Sequence, residues 1–378
     1  MKDVLIIIGT RPEAIKMAPV IRRMSESSIL RPRVCSTGQH REMLAQAFAA
    51  FDIAPEFELR LMTRGQSLAA LSGRLFNTMD ALLEERRPWC VLVQGDTTSV
   101  MIAALCAFYR HIPVGHVEAG LRSGNLQQPF PEELNRRVAT LATRFHFAPT
   151  PTAADNLRRE GVPESRIHIT GNTIVDALLY MREGIRDAPP PLPPAMEALL
   201  RKGLSYVLVT VHRRELGAEG LQHICNALRT LARRHPDLFF VYPVHLNPRI
   251  REHVRAELGN IANILLIPPL GYKEFLRAMD AALFIMSDSG GVQEEAPSLN
   301  KQVLVLREVT ERPEAVEAGF CRLVGAQEER ILQAAEELLA QERSGIPSRS
   351  TPFGDGHAAA RITTVLERAA QASPEEYP

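Results

Sequence analysis

The chain has 378 residues, with 44 Lys plus Arg against 44 Asp plus Glu and 45% hydrophobic residues. That apolar content excludes a disordered chain, and the zero formal charge gives no ground for non-specific binding to nucleic acid or to an anionic membrane. Single cores stop growing near roughly 250–300 residues, so the length points to two domains.

Met1-Lys2-Asp3 leads straight into an apolar strand at 4–8, with neither the length of a secretory h-region nor a cleavage site. Further strands are predicted at 34–37, 91–94, 114–117, 145–148 and 167–170. In the second half they fall at 206–211, 239–243, 264–267, 282–286 and 303–306. These runs are nearly all apolar rather than alternating, as strands covered by helices on both faces of a parallel sheet must be. Amphipathic stretches such as 68–84 and 221–234 lie between them. The order is βαβα, hence α/β with parallel sheets. Asp187-Ala188 leads into Pro189, Pro190, Pro191, Pro193 and Pro194, a stretch that reads as exposed loop. We expect two doubly wound domains, 1–170 and 171–357, with a helix near 358–370 free to pack back on the first.

The longest apolar stretch, 100–109, is far short of the roughly 20 residues a membrane helix needs. Cys35, Cys90, Cys106, Cys225 and Cys321 are scattered without a CxxC pair, against a disulfide framework and against structural zinc. A reducing cytoplasm is the expected location.

In open α/β sheets ligands bind beyond the carboxyl ends of the strands, so the residues after each strand carry the chemistry. After 4–8 comes Gly9-Thr10-Arg11-Pro12-Glu13: a turn, a Thr/Glu pair with capping-box spacing, and an Arg beside the positive end of a helix. A cation there suits a bound anion, although an exposed Arg at a helix start reads as well. Asp96 follows 91–94 and is either a helix cap or an acid–base group. Glu118 closes the strand 114–117, where no cap is needed. Pro131, at or near the first helical position, precedes Glu132 and Glu133. Carboxylates converging on one rim suit acid–base chemistry. In the second half His212 ends a strand, and Ser289-Gly290-Gly291 opens a helix with small residues that let a phosphate approach, with Glu295 a turn further on. His245 reads best as structural. No P-loop, dinucleotide, zincin or hydrolase motif is present.

Together these segments resemble the non-hydrolysing UDP-N-acetylglucosamine 2-epimerases. The matching blocks are 9–20 (GTRPEAIKMAPV), 37–44 (TGQHREML), 93–98 (VQGDTT), 116–122 (HVEAGLR), 131–136 (PEELNR), 146–150 (HFAPT) and 171–177 (GNTIVDA). They continue with 212–215 (HRRE), 287–297 (SDSGGVQEEAP) and 310–314 (TERPE). The resemblance implies a glycosyltransferase-B architecture, two Rossmann-like domains facing across a cleft, and a homodimer with no nicotinamide and no essential metal. It implies interconversion of UDP-N-acetylglucosamine and UDP-N-acetylmannosamine, the latter a source of N-acetylmannosamine units for surface polysaccharide. The C2 proton is not α to a carbonyl. The reaction therefore eliminates UDP from C1 to leave 2-acetamidoglucal, and UDP then re-adds after protonation of the opposite face. By resemblance Asp96, Glu118 and Glu132 are the acid–base carboxylates. Arg11, Lys16 and His212 serve the pyrophosphate and active-site charge, Ser289, Gly290 and Gly291 the phosphate, and Glu295 the ribose. Arg312 is another active-site cation, and Phe275 with the backbone near Leu270 holds the uracil. Gln39, His40 and His245 match a second, activating UDP-sugar site of some relatives, although Glu42 and Gly65 stand where certain relatives have Gln and Arg. Leu216 and Phe320 are further departures, beside the expected site residues.

Two other readings fit part of the pattern: a retaining glycosyltransferase using a UDP-sugar donor, and a catalytically silent UDP-sugar-binding regulator. Deuterium incorporation at C2 without an acceptor separates epimerisation from both.

Overall fold

The computed structural model of the protein describes residues 1–38, 41–61, 65–211, 217–244, 247–342 and 351–372. By contact the chain forms two compact units, one of Met1–Tyr180 with the chain from Phe353 onward, the other of Met181–Pro352. The sequence-based boundary at 170/171 compares with a division inside the helix Thr173–Asp187. The first turn of that helix carries Asp176, which accepts the backbone N–H groups of Ala358 (3.2 Å) and Ala359 (2.8 Å). The C-terminal helix Ala358–Gln371 thereby sits in the first unit, where Glu367 also accepts the Ser27 hydroxyl at 2.6 Å.

The first unit has a parallel sheet of β1 (Lys2–Ile8), β2 (Leu30–Ser36), β3 (Phe57–Glu58), β4 (Cys90–Gln94), β5 (Val114–Val117), β6 (Phe145–Ala148) and β7 (Ile167–Ile169). Their spatial order is β3-β2-β1-β4-β5-β6-β7. The second unit repeats the plan with β8 (Tyr206–Thr210), β9 (Phe239–Pro243), β10 (Ile264–Ile267), β11 (Ile285–Ser287), β12 (Val303–Val305) and β13 (Cys321–Leu323), in the order β10-β9-β8-β11-β12-β13. Every pairing is parallel, as the apolar runs required. In each sheet the chain winds outward in both directions from a central pair, β1 with β4 and β8 with β11. The carboxyl ends of such a pair splay their following loops apart and leave a crevice.

Helices cover the sheets because their apolar stripes match. Leu5 and Ile7 of β1 share a core with Leu75, Met79 and Leu83 of the helix Leu68–Arg86. That helix begins where the Ser67 hydroxyl accepts Ala70 N–H (3.2 Å) and ends at Arg87 in the left-handed region (φ 43°). Val207 and Val209 of β8 pack with Ile224, Leu228 and Leu231 of the helix Gly217–Arg234. Each such side chain contributes about 1.5–3 kcal/mol by leaving water.

Two strands escaped the sequence reading, β3 and β13. The first is two residues long, and the second has exposed Arg322 and Leu323 on a sheet edge, so neither shows an apolar run. β11 starts at Ile285 rather than 282, because Ala282 caps the preceding helix Tyr272–Ala281. The proline stretch is mostly exposed and ends in a short helix, Pro194–Arg201.

Candidate active site

At the carboxyl end of β1 the chain turns through Gly9 into the helix Arg11–Ser25. Glu13 accepts the backbone N–H groups of Gly9 (2.5 Å) and Thr10 (3.3 Å), completing the capping box. Glu13 is buried, and a Cβ on Gly9 would lie 2.8 Å from Thr37 Oγ1 and 3.1 Å from Ser99 Oγ. Burial raises the Glu13 carboxyl to about 7 against the opposing donation from Gly9 N–H and the Thr97 hydroxyl. Arg11 is half-buried at the positive end of this helix and has no hydrogen-bond or ion-pair partner among the described residues.

One turn along, Lys16 reaches across to the end of β5. Its Nζ lies 2.5 Å from Glu118 Oε2, with both side chains nearly buried. Gln94, the last residue of β4, donates to the same oxygen at 2.5 Å. Glu118 holds a left-handed backbone (φ 67°), which a non-glycine residue adopts at a cost of roughly 1–2 kcal/mol.

The helix-cap reading of Asp96 does not hold, since Thr97 caps the helix Thr98–Tyr109 by accepting Val100 N–H (3.4 Å). Asp96 Oδ2 instead takes two N–H groups of Arg136, from Nε at 3.0 Å and Nη2 at 2.7 Å. Its backbone carbonyl accepts Asn135 Nδ2 at 2.9 Å. Arg136 Nη1 donates to Glu133 Oε2 at 3.0 Å, and the same oxygen accepts Ser123 N–H at 3.1 Å. Glu132 opens this helix, Glu132–Ala142, and is half-buried; Pro131 stands as its N-cap rather than inside its first turn. His116, buried on β5, donates Nε2–H to the carbonyl of Gly95 (2.8 Å), the residue before Asp96. Burial lowers its imidazole to about 4, so it is neutral at neutral pH.

In the second unit the Ser287 and Thr210 hydroxyls meet at 2.6 Å, and Ser287 Oγ accepts Ser289 N–H at 3.0 Å. This ties the end of β8 to the turn that opens the short helix Gly290–Glu295. Gly290 has no room for a side chain, because a Cβ would lie 2.9 Å from Cζ of Arg312. The Arg312 guanidinium donates to Glu294 (Nε, 2.8 Å) and Glu311 (Nη1, 2.8 Å), both buried. Thr310 accepts Arg312 N–H at 3.1 Å and donates to Gln293 at 2.6 Å, and Gln293 returns to the Ser289 carbonyl at 3.2 Å. Glu295 is buried, Leu270 lies in the loop after β10, and Phe275 is half-buried in the helix Tyr272–Ala281.

The family model described as UDP-N-acetylglucosamine 2-epimerase matches residues 22–367, nearly the whole chain. The chain belongs to that family. A UDP-N-acetylglucosamine 2-epimerase of Escherichia coli (strain K12) is 46% identical over 369 residues, 96% of this chain and 98% of that protein. The UDP-GlcNAc 2-epimerase of Neisseria meningitidis, solved bound to UDP-GlcNAc, is 40% identical with a TM-score of 0.88 over 97% of this chain and 100% of that one. The Methanocaldococcus jannaschii epimerase, solved with UDP-GlcNAc and UDP, is 33% identical with a TM-score of 0.83 over 97% and 99%. The family places this chain among isomerases, and its two Rossmann-like parallel-sheet domains are those of the glycosyltransferase-B type.

Of the residues expected from this epimerase pattern, the fold brings Lys16 onto Glu118, and sets Asp96 against the helix that carries Glu132. It sets Ser289, Gly290 and Gly291 beside Arg312 in the other unit. His212, Gln39, His40 and His245 lie outside the described residues. Sequence reasoning missed Gln94, Asn135 and Arg136, along with Gln293, Thr310 and Glu311, and named Glu133 only as a carboxylate of the helix's first turn. A polar residue ending an apolar strand was the available signal for Gln94, and the i,i+3 spacing of Glu133 and Arg136 for that pair.

Proposed function

We propose that this protein interconverts UDP-N-acetylglucosamine and UDP-N-acetylmannosamine. UDP is eliminated as the C2 proton leaves, and it re-adds to the 2-acetamidoglucal after protonation of the other face. The observation that carries this reading is the likeness, over 97% of the chain, to epimerases solved with UDP-GlcNAc. The first unit supplies the proton-handling groups, Asp96, Glu118 and Glu132, with Lys16 holding Glu118. Arg11, without a partner among the described residues, suits the diphosphate from its place at a helix start, and its charge would stabilise the oxygen on which negative charge grows as C1–O breaks. In the second unit Ser289, Gly290 and Gly291 offer small residues to phosphate, and the two glycines offer their backbone N–H groups, that of Ser289 being held by Ser287. Arg312, held by Glu294 and Glu311, supports that turn from behind. Glu295 is assigned to the ribose, Phe275 with the Leu270 backbone to the uracil, and His212 to the active-site charge. Gln39, His40 and His245 are assigned to a second UDP-sugar.

The test is incubation with UDP-N-acetylglucosamine alone in D₂O. Appearance of UDP-N-acetylmannosamine with deuterium at C2 is the expected result. A nucleotide sugar left unchanged until an acceptor is added would instead identify a glycosyltransferase.

The assembly proposed is a homodimer. Leu134, Leu141, Phe108 and Tyr109 lie on or next to two mutually packed helices and are all exposed, Leu141 by 83%. A second copy covering them would remove that apolar area from water, and sedimentation of a Leu141→Glu variant as a monomer is the expected readout. The cytoplasm is the proposed location, supported by five cysteines that are all free. Among the described residues no helix is long and apolar enough to cross a membrane.

A further inference from the structure

Asp96 is gripped by a single turn of helix at three points. Arg136 gives two N–H groups to Oδ2, Asn135 takes the backbone carbonyl, and Glu133 stands behind Arg136 on its far side. The side chain of Glu133 is fully buried and that of Arg136 is 6% exposed, whereas that of Asp96 is 29% exposed. A buried carboxylate beside an arginine is a fixed counter-charge, and a planar guanidinium with donors on two edges transmits its orientation rigidly. Glu133 also accepts Ser123 N–H, which anchors the pair to the loop that leaves Glu118. Among the described residues Oδ1 of Asp96 has no partner.

We propose that Glu133 and Arg136 are positioning residues that act through Asp96: Glu133 aims the guanidinium, the guanidinium fixes Oδ2, and Oδ1 is the oxygen left to meet the sugar. This rests on the epimerase reading above. Because Glu132 opens the same turn, the device also sets the distance between two of the proton-handling carboxylates. Neither residue touches the substrate in this account.

The diagnostic is non-additivity. Glu133→Gln, nearly isosteric, should lower kcat for C2 exchange by up to about 100-fold, with KM and UDP affinity within a few-fold of wild type, since misplacing one reacting group costs rate rather than binding. Placed on Asp96→Asn, the same change should lower the residual rate no further. An equal loss in both backgrounds, or wild-type kcat in the single variant, overturns the proposal. Arg136→Lys keeps the charge without the fork and should fall between wild type and Arg136→Met; equal rates for the two substitutions would also count against it. A readout free of catalysis separates this from failure of the epimerase reading. In arginine-labelled protein the Arg136 Nη protons should give separate, slowly averaging NMR signals that collapse in Glu133→Gln. Rapid averaging already in the wild type would refute the fixed guanidinium, whatever the enzyme's reaction.

Discussion

The ammonium of Lys16 and the carboxylate of Glu118 stand 2.5 Å apart with both side chains more than nine-tenths out of water. They come from the first helix and the residue that follows the fifth strand, 102 residues apart in sequence, and Gln94 shares the same carboxylate oxygen. In a pair this buried each charge depends on its partner, because removing either one strands the other away from water.

Removing one partner should therefore cost much more than removing both. Lys16→Met is expected to destabilise the first unit by about 3–5 kcal/mol and to abolish most C2 exchange. The double variant Lys16→Met/Glu118→Gln should regain a large part of that stability while remaining inactive. Urea unfolding of the two single variants and the double variant checks this, and additive losses would show that the pair is not coupled.

The Ser289-Gly290-Gly291 turn admits a cleaner separation of fold from ligand. At Gly290 a methyl would strike the Arg312 guanidinium at 2.9 Å and push it off Glu294 and Glu311. Gly290→Ala should cost about 1–3 kcal/mol of stability and weaken UDP binding with it. At Gly291 the nearest atom to an added methyl is Ser289 Oγ at 3.8 Å, an ordinary contact. Gly291→Ala should leave stability within about 0.5 kcal/mol, so any loss of UDP affinity measured by calorimetry there reports on the ligand itself.

Much of this was legible in the residues. The five consecutive apolar positions of β1 left no orientation but one covered on both faces, and Glu118 could be singled out because a carboxylate ending such a strand has no capping role. Asp96 was ambiguous: its neighbour Thr97 can cap equally well, and only the position of Arg136 in a helix 40 residues away decides between them. Glu13 was visible as a capping-box residue but not as a buried one, and the close approach of Thr37 and Ser99 to Gly9, from beyond the ends of β2 and β4, is a long-range feature that the local pattern does not show. Glu133 reads as an ordinary first-turn carboxylate and Arg136 does not stand out at all; nothing local says that the turn faces inward. Side chains whose meaning comes from a distant element are the ones that sequence spacing hides.

The C-terminal helix gives a test of that kind. His357 stands at its N-cap and makes no side-chain cap, so the first free N–H groups, of Ala358 and Ala359, are left to Asp176, 182 and 183 residues away. Burial raises the Asp176 carboxyl above its usual value despite those donors. Asp176→Ala should cost about 1–2 kcal/mol, the ordinary worth of a cap, and should be felt locally. Hydrogen exchange is expected to rise along the helix Ala358–Gln371 while the β8–β13 sheet stays protected.

Stability should bend with pH in two opposed ways. His116 and His146 are buried with their imidazoles lowered to about 4, burial being the main cause in each. The unfolded chain takes up these protons near 6.5 and the folded chain does not, so stability falls as pH drops from about 6.5 to 4, by at most about 3 kcal/mol per histidine. Glu13 acts in reverse. Its folded carboxyl keeps a proton up to about 7 that the unfolded chain releases near 4.5, so its contribution is full below 4.5 and is lost as pH rises to 7. Between 4.5 and 6.5 the two trends compete. Glu13→Gln should therefore steepen the acid loss of stability, and His146→Gln should flatten it. Urea midpoints at pH 7.5, 6.5, 5.5 and 4.5 decide the matter: parallel profiles for wild type and both variants would mean that neither Glu13 nor His146 titrates as assigned.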